Sequence, residues 1–260
     1  MNPSTPRSVR RIDGDMSIDT TDLVALEEPL EIRLGDVPIA VLMRTPGDDP
    51  DLIRGFAVTE AIVLGPHELG EPVDLGEGRW ELVLAAGVVI DPEQFRRNLY
   101  SSSSCGVCGK ASIDAVLIAA ADLPPGPIVP VEVLNRLSAV MRDHQAGFDA
   151  TGSLHAAALF NAAGELLTIR EDIGRHNAVD KVVGAAMTER LDLAASILFV
   201  SGRVSFEISQ KAAVAGIPVV CGVSAASSLA IDLAARVGLT LAGFVREGSL
   251  VVYTRPDRVG

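Results

Sequence analysis

Two cysteines set two residues apart, Cys105 and Cys108, are the chemical centre of this sequence. They lie in Ser101-Ser102-Ser103-Ser104-Cys105-Gly106-Val107-Cys108-Gly109-Lys110. Such a pair has three common uses: half of a zinc site, a redox dithiol, or a reactive thiol. A structural zinc site needs four ligands. The one other cysteine, Cys221, falls in an apolar run that predicts a buried strand, and the histidines are few: His67, His144, His155 and His176. No structural zinc is therefore expected. A zinc deaminase needs His-x-Glu followed by Pro-Cys-x-x-Cys. Here Ala156-Ala157 follows His155, Asn177-Ala178 follows His176, and Ser104 precedes Cys105, so that chemistry is absent. A thioredoxin-like dithiol would sit early, behind a first strand, whereas about a hundred residues precede Cys105. The third use is a thiol that accepts sulfur and passes it on. Gly106 and Gly109 free the backbone, while Lys110 and a following helix N-terminus favour thiolate over thiol. A thiolate can take up an activated sulfur as a persulfide. These properties permit sulfur transfer without singling it out.

The elements that must position this loop can be read from pattern. Leu30–Leu34 and Val37–Met43 predict two strands joined by Gly35-Asp36, and Asp48-Asp49-Pro50-Asp51 starts a helix that runs to about Leu64, before Gly65-Pro66. Trp80–Ile90 is rich in strand formers. These segments suggest a smaller α+β part over residues 21–100, behind a polar, mobile tail over residues 1–20. Residues 101–260 read as an α/β domain with the cysteine loop at 101–110. In it Ala111–Ala121 and Val131–Gln145 predict helices around the break at Pro124-Pro125-Gly126-Pro127. Strands then alternate with helices: Leu166–Ile169, His176–Arg190, Ile197–Val200, Phe206–Ala215, Pro218–Cys221, Ala225–Val237, Leu239–Val245 and Leu250–Thr254. This alternation argues for a layered α/β sheet. Polar residues gather just past four strand ends, at Arg170–His176, Ser201-Gly202-Arg203, Gly222-Val223-Ser224 and Arg246-Glu247-Gly248-Ser249. Open α/β sheets bind ligands outside their strand carboxyl ends, so these loops are expected to line one crevice.

Composition excludes several classes. The 260 residues are 48% hydrophobic and carry a net charge of −12, enough for a large core and unsuited to non-specific nucleic-acid binding. No apolar run reaches the length of a membrane span. Arg7, Arg10 and Arg11 are followed by Ile12-Asp13-Gly14-Asp15, where a secretory signal would place its apolar stretch. Three cysteines do not make a disulfide scaffold, and a cytoplasmic location is expected. Only three of the 22 basic residues are lysines, Lys110, Lys181 and Lys211. A lysine kept in so arginine-rich a chain marks a site where a compact ammonium does what a planar fork cannot; chance is the alternative.

The sequence around the cysteines resembles the cysteine loop of the formate dehydrogenase accessory sulfurtransferases, the FdhD family. The blocks that carry the resemblance run in the family's order over roughly residues 25–255. They are Glu27-Glu28-Pro29-Leu30 with Gly55-Phe56, Ser103–Lys110, Thr151–Ala157, Arg170–Lys181, Ser201-Gly202-Arg203 with Glu207, Gln210 and Lys211, and Gly243–Arg246 with Tyr253-Thr254. One departure is Ser224-Ala225-Ala226-Ser227, where the family usually has Ser-Ala-Pro-Thr; losing the proline is expected to loosen the following helix start.

The resemblance implies a three-layer α/β/α sandwich of the cytidine-deaminase-like kind without its zinc site. It implies a sulfur carrier that accepts sulfur from a cysteine desulfurase and passes it to the Mo-bis(molybdopterin guanine dinucleotide) cofactor before that enters the catalytic subunit of formate dehydrogenase. Cys105 is the expected persulfide carrier and Cys108 its partner thiol. Phe244, Val245, Arg246, Glu247, Gly248 and Ser249 resemble the family's cofactor-binding segment, including the site for a GDP-like moiety. Arg170, Arg175, Arg203 and Arg246 are candidate forks for its phosphates, although Glu171, Asp172 and Glu247 offer them plain ion pairs. His176 either meets the cofactor or caps the next helix. His155 and Cys221 are expected in packing roles, and Asp180 with Lys181 as a structural pair. A homodimer suits a two-sided carrier; neither membrane nor nucleic acid is an expected partner. Two competing readings are a thiol–disulfide oxidoreductase and a cofactor-binding chaperone with incidental cysteines.

Overall fold

The computed structural model describes residues 3–92 and 122–260. Cys105, Cys108, Lys110 and the helix expected over Ala111–Ala121 lie outside the described residues.

The chain begins with a hairpin, β1 (Ser4–Asp13) and β2 (Met16–Ala25), in register from Ser4 opposite Ala25 to Asp13 opposite Met16. Residues 4–20, expected as a tail without regular structure, thus lie largely in strands. Gly14, at φ 57°, turns the hairpin just as Gly35, at φ 59°, turns the next one. Both faces of the first hairpin are largely exposed, so its strands carry no apolar alternation to betray them.

A four-stranded sheet follows, built from β3 (Glu28–Leu34), β4 (Val37–Arg44), β5 (Val73–Gly76) and β6 (Arg79–Glu81) in the order β4-β3-β6-β5. Helix α1 (Asp49–Thr59) covers it, burying Leu52 and Ile53 against Leu30, Ile32 and Leu82. The helix ends at Thr59 rather than near Leu64, and Ala61 beyond it adopts a left-handed conformation at φ 55°. The strand formers of Trp80–Ile90 supply only the end of β6.

The second half forms a six-stranded sheet in the order β12-β11-β10-β9-β7-β8, from β7 (His155–Phe160), β8 (Leu166–Asp172), β9 (Ile197–Val200), β10 (Val219–Gly222), β11 (Thr240–Arg246) and β12 (Ser249–Thr254). Side chains alternate between its faces as strand geometry requires. Leu159, Leu198, Val220 and Leu241 pack under helices α4 (Arg175–Glu189), α5 (Phe206–Val214) and α6 (Ser228–Val237). Phe160, Phe199, Cys221 and Ala242 pack under α2 (Val131–Arg142) on the other face, with the short α3 (Ala146–Thr151) following α2. The fold is α/β, with helices on both sides of a mixed sheet. Strand β7 was not legible in the sequence, because His-Ala-Ala-Ala-Leu-Phe is an alanine run that favours helix by intrinsic preference; burial on both faces decides otherwise. Cys221 is a core residue, and burial pushes its thiol up to about 12. Helix α6 starts at Ser228, three residues past the expected Ala225, capped by the Ser227 hydroxyl, which accepts from the Ala230 N–H at 3.3 Å. That cap does locally what the missing proline does not.

The two halves meet where α1 crosses α4 at backbone contact. A Cβ on Gly55 would lie 1.7 Å from the carbonyl oxygen of Asp180, and one on Gly184 would lie 1.9 Å from that of Asp51. Neither backbone can yield without separating the helices. Gly184→Ala is expected to lower the unfolding free energy by about 2–4 kcal/mol through overpacking. Urea denaturation measures this, and a loss within about 0.5 kcal/mol of zero would show that the helices do not cross this closely.

Candidate functional site

Beside that crossing, two buried lysines tie α4 to the first half. Lys181 Nζ lies 2.8 Å from Asp172 Oδ2 and donates to the Thr45 carbonyl at 2.8 Å. The wholly buried Asp172 carboxylate also accepts from the backbone N–H of Thr45 and Gly174 and from Asn177 Nδ2, at 3.0, 2.8 and 3.0 Å. Asn177 Nδ2 reaches back to the Met43 carbonyl at 2.7 Å. On another side of α4, Lys211 Nζ from α5 binds Asp180 at 2.8 and 2.9 Å, Glu60 at 2.8 Å and the Thr59 hydroxyl at 3.0 Å. Asp180 and Lys181, expected as a pair, thus have separate partners, because adjacent helical residues point in different directions. Burial pushes the Asp180 carboxyl up to about 6, against the pull of Lys211. Burial also disfavours the Lys211 ammonium, yet Asp180 and Glu60 outweigh it and raise its pKa. Each site admits a compact cation ringed by oxygens, which explains lysine at these two positions.

These ties fix the N-terminus of α4 at one edge of the six-stranded sheet. Strands β8, β9, β10 and β11 run in one direction, since β7 is antiparallel to β8 and β9 while β9, β10 and β11 are parallel. Their carboxyl ends therefore share an edge with the first residue of β7, His155, and the first of β12, Ser249. All four polar loops lie along this edge, although no one cavity among the described residues is lined by all four. They are laced together: the Val223 N–H donates to the Val200 carbonyl at 3.1 Å, and the Phe244 N–H to the Ser224 carbonyl at 3.0 Å. A Cβ on Gly202 would lie 3.6 Å from His155 Nδ1 and 4.0 Å from Arg175 Cδ.

The expected ligand-binding residues separate into groups. Arg175 and His176, with His155, line a cavity of about 370 Å³ between the α4 N-terminus, β4 and α1. Its floor is Asp180, Lys211 and Glu60, and its apolar wall Val41, Leu42, Met43 and Phe56. Motif position brought out Arg175 and His176, and the scarcity of lysine pointed to Lys211; nothing in the sequence marked the β4 wall. His176 does not cap α4. Its Nε2 lies 3.5 Å from Ser205 Oγ and 3.9 Å from Glu207 Oε2. Arg203 is exposed and does not line this cavity, though it follows Gly202, which lies near His155 and Arg175. Phe244, Arg246, Glu247, Gly248 and Ser249 lie two strands away, at the turn from β11 to β12, all exposed. Gly248 turns at φ 75°, and Arg246 Nε donates to Ser249 Oγ at 3.1 Å. Phe244 is held at φ 52° within a register shift between Gly243 and Arg246. For a bulky residue that conformation costs about 1–3 kcal/mol, and such strain clusters at functional sites. Two expected contacts are corrected. The Val245 side chain is wholly buried in the core under α2. Arg170 belongs to strand β8, where Asp51 Oδ2, the Thr168 hydroxyl and the Ile169 carbonyl occupy its guanidinium at 2.9–3.2 Å. The local acid won that arginine.

Burial, with Arg175 and Lys211 nearby, lowers the His176 pKa to about 4 against the pull of Glu207 and Glu60. Burial and Arg175 also lower that of His155, against Asp172. Both rings are neutral at pH 7. As pH falls from 6.5 toward about 4, the unfolded chain takes up the His176 proton before the folded one. The stability advantage of wild type over His176→Gln is therefore expected to shrink through that window. Nitrogen NMR of the ring should find it neutral at pH 5.5; a ring protonated there contradicts the site's electrostatics.

The FdhD/NarQ family model matches residues 25–260 of this chain. The sulfur carrier protein FdhD of Streptomyces coelicolor is 52% identical, the match covering 97% of this chain and 94% of that protein. The protein of the same name from Mycobacterium tuberculosis is 45% identical, over 97% of each. In fold, the chain is similar to the crystal structure of a proposed formate dehydrogenase accessory protein from Desulfotalea psychrophila, with a TM-score of 0.81, 24% identity and full coverage of both chains. Matched along nearly its whole length and at this identity, the chain belongs to the FdhD/NarQ family.

Proposed function

We propose that this protein is a sulfur carrier in the maturation of formate dehydrogenase, a sulfurtransferase working through a cysteine persulfide. The observation that carries the reading is the family match over residues 25–260, which spans Cys105 and Cys108, with relatives named as sulfur carriers at up to 52% identity. In the reaction, the Cys105 thiolate attacks the outer sulfur of a persulfide on a cysteine desulfurase. The new S–S bond forms as the donor's breaks, and the donor leaves as thiolate, so the step is redox-neutral. Attack by the Cys108 thiolate on Cys105 Sγ then expels the carried atom as sulfide and leaves a Cys105–Cys108 disulfide. The two thiols supply the two electrons that sulfane sulfur needs to become sulfide.

The acceptor in this proposal is the Mo-bis(molybdopterin guanine dinucleotide) cofactor, a cargo that then passes to the catalytic subunit of formate dehydrogenase. The edge of the six-stranded sheet suits such a ligand. It presents Arg175, Arg203 and Arg246 for phosphates and a strained, exposed Phe244 for a flat ring. The sheet with helices on both faces fits a cytidine-deaminase-like sandwich. Among the described residues no helix is long and apolar enough to cross a membrane, and we place the work in the cytoplasm, on a homodimer.

Incubation with free cysteine and a cysteine desulfurase, followed by intact mass measurement, tests the carrier. Wild type is expected to gain the mass of one sulfur atom, removable by a reductant, and Cys105→Ala to gain none. A wild type that stays at its starting mass, or a Cys105→Ala variant that loads like wild type, contradicts the assignment.

A further inference from the structure

The hairpin of β1 and β2 lies almost wholly outside the family match, which begins at residue 25. Its base rests on α3, and every residue from Arg10 to Asp19 is exposed. The outer half is therefore an arm held out in solvent. A two-stranded hairpin is marginal in water unless one face packs on something.

Paired residues of a hairpin share a face, and successive pairs alternate. One face of the arm thus carries the pairs Val9–Thr20, Arg11–Ile18 and Asp13–Met16. Val9 and Thr20 are partly buried, so this is the face turned toward the body at the base. Beyond them, Ile18 and Met16 stand side by side on one strand, 60% and 70% exposed. The charges also sort by face. On the opposite face Arg10 and Asp19 satisfy each other, at 2.7 and 2.9 Å. Arg11 and Asp13 face across the hairpin to Ile18 and Met16 instead, and neither has an ion pair among the described residues. Ile12, on the Arg10 face, is a single exposed apolar side chain of the ordinary kind. Arg7, Arg10 and Arg11 against Asp13, Asp15, Asp19 and Asp22 leave the hairpin at −1, while the whole chain carries −12. Two copies of so acidic a chain repel each other least at this arm.

We infer that the outer half of the arm is a docking surface for a second copy of this chain. The two arms lie face to face and antiparallel, about a two-fold axis that passes between the Arg11–Ile18 and Asp13–Met16 pairs. That operator sets Arg11 against the partner's Asp13 and Ile18 against the partner's Met16, and makes each contact twice. An isologous interface needs this self-complementarity. Pairing along the open edges fits less well, because β1 on β1 gathers the three arginines and β2 on β2 gathers Asp19 and Asp22. The inference rests on the reading that the protein works as a homodimer, and names the surface. The contact is smaller than the roughly 800 Å² per partner of a standard interface, so the dimer is reversible.

Sedimentation equilibrium of the full chain over a concentration series tests this. Wild type is expected to show a monomer–dimer equilibrium. Ile18→Glu is expected to weaken it about tenfold or more. Arg11→Asp, which sets acid against acid at both places, is expected to do the same, and Arg11→Asp combined with Asp13→Arg to restore wild-type association. All these side chains are exposed, so the fold of the body does not depend on them. A wild-type dimer that Ile18→Glu and Arg11→Asp leave unchanged, or a charge swap that restores nothing, overturns the arm interface and leaves a homodimer through another surface. A wild type that stays monomeric at every concentration overturns the arm interface and the homodimer together, and leaves sulfur loading on Cys105 to its own test.

Discussion

The ion pairs of Lys181 with Asp172 and of Lys211 with Asp180 hold the candidate site in shape. Each puts a buried ammonium against a buried carboxylate within the second half, and each group reaches across the seam to the first half, through Thr45 for Lys181 and Asp172 and through Thr59 and Glu60 for Lys211 and Asp180. Removing water from such charges is expensive, and their attraction offsets that loss only where every oxygen and proton finds a partner. Here they do: Asp172 accepts from four donors, and Lys211 gives to Asp180, Glu60 and Thr59. The backbone contact at Gly55 and Gly184 brings the helices close enough for these reaches. Hydrophobic packing alone would tolerate small slips between the halves, whereas a lattice of buried charges has one geometry.

From that geometry the chemistry follows. Asp172 receives the Gly174 N–H at the turn into α4, so the carboxylate that also accepts from Thr45 of the first half aims the helix N-terminus. Lys211 places positive charge under His176 and helps keep the ring neutral. Strand direction does the rest. With β8 to β11 running one way, the polar loops line one edge, and the antiparallel β7 delivers His155 to the same place. The candidate site residues are thus gathered by sheet topology and spaced by buried ion pairs.

Much of this was legible in the sequence where a local signal existed. Hydrophobic runs bounded by turns marked β9, β10 and β11, and the ordered motifs marked Arg175 and His176. The Gly35-Asp36 turn was read because apolar strands flank it. The same dipeptide at Gly14-Asp15 was missed because its flanking strands are polar and exposed. Strand β7 was hidden by its alanines, which fit the sheet only because both faces are covered. The partners of Asp180, Lys181 and Arg170 were out of reach for a different reason. They come from Thr59, Thr45 and Asp51, more than a hundred residues away, and no local pattern encodes such a meeting.

The buried charges, acting together, fix the seam. A double-mutant cycle on Asp180 and Lys211 tests it most directly, with unfolding free energies of Asp180→Leu, Lys211→Met and the double variant. If the lattice is as described, Lys211→Met strands the buried Asp180 carboxylate and costs about 3–5 kcal/mol, Asp180→Leu, which leaves Lys211 with Glu60, costs less, and the double variant loses clearly less than the sum. Single losses below about 1 kcal/mol that simply add would be those of independent exposed groups, and would contradict the claim.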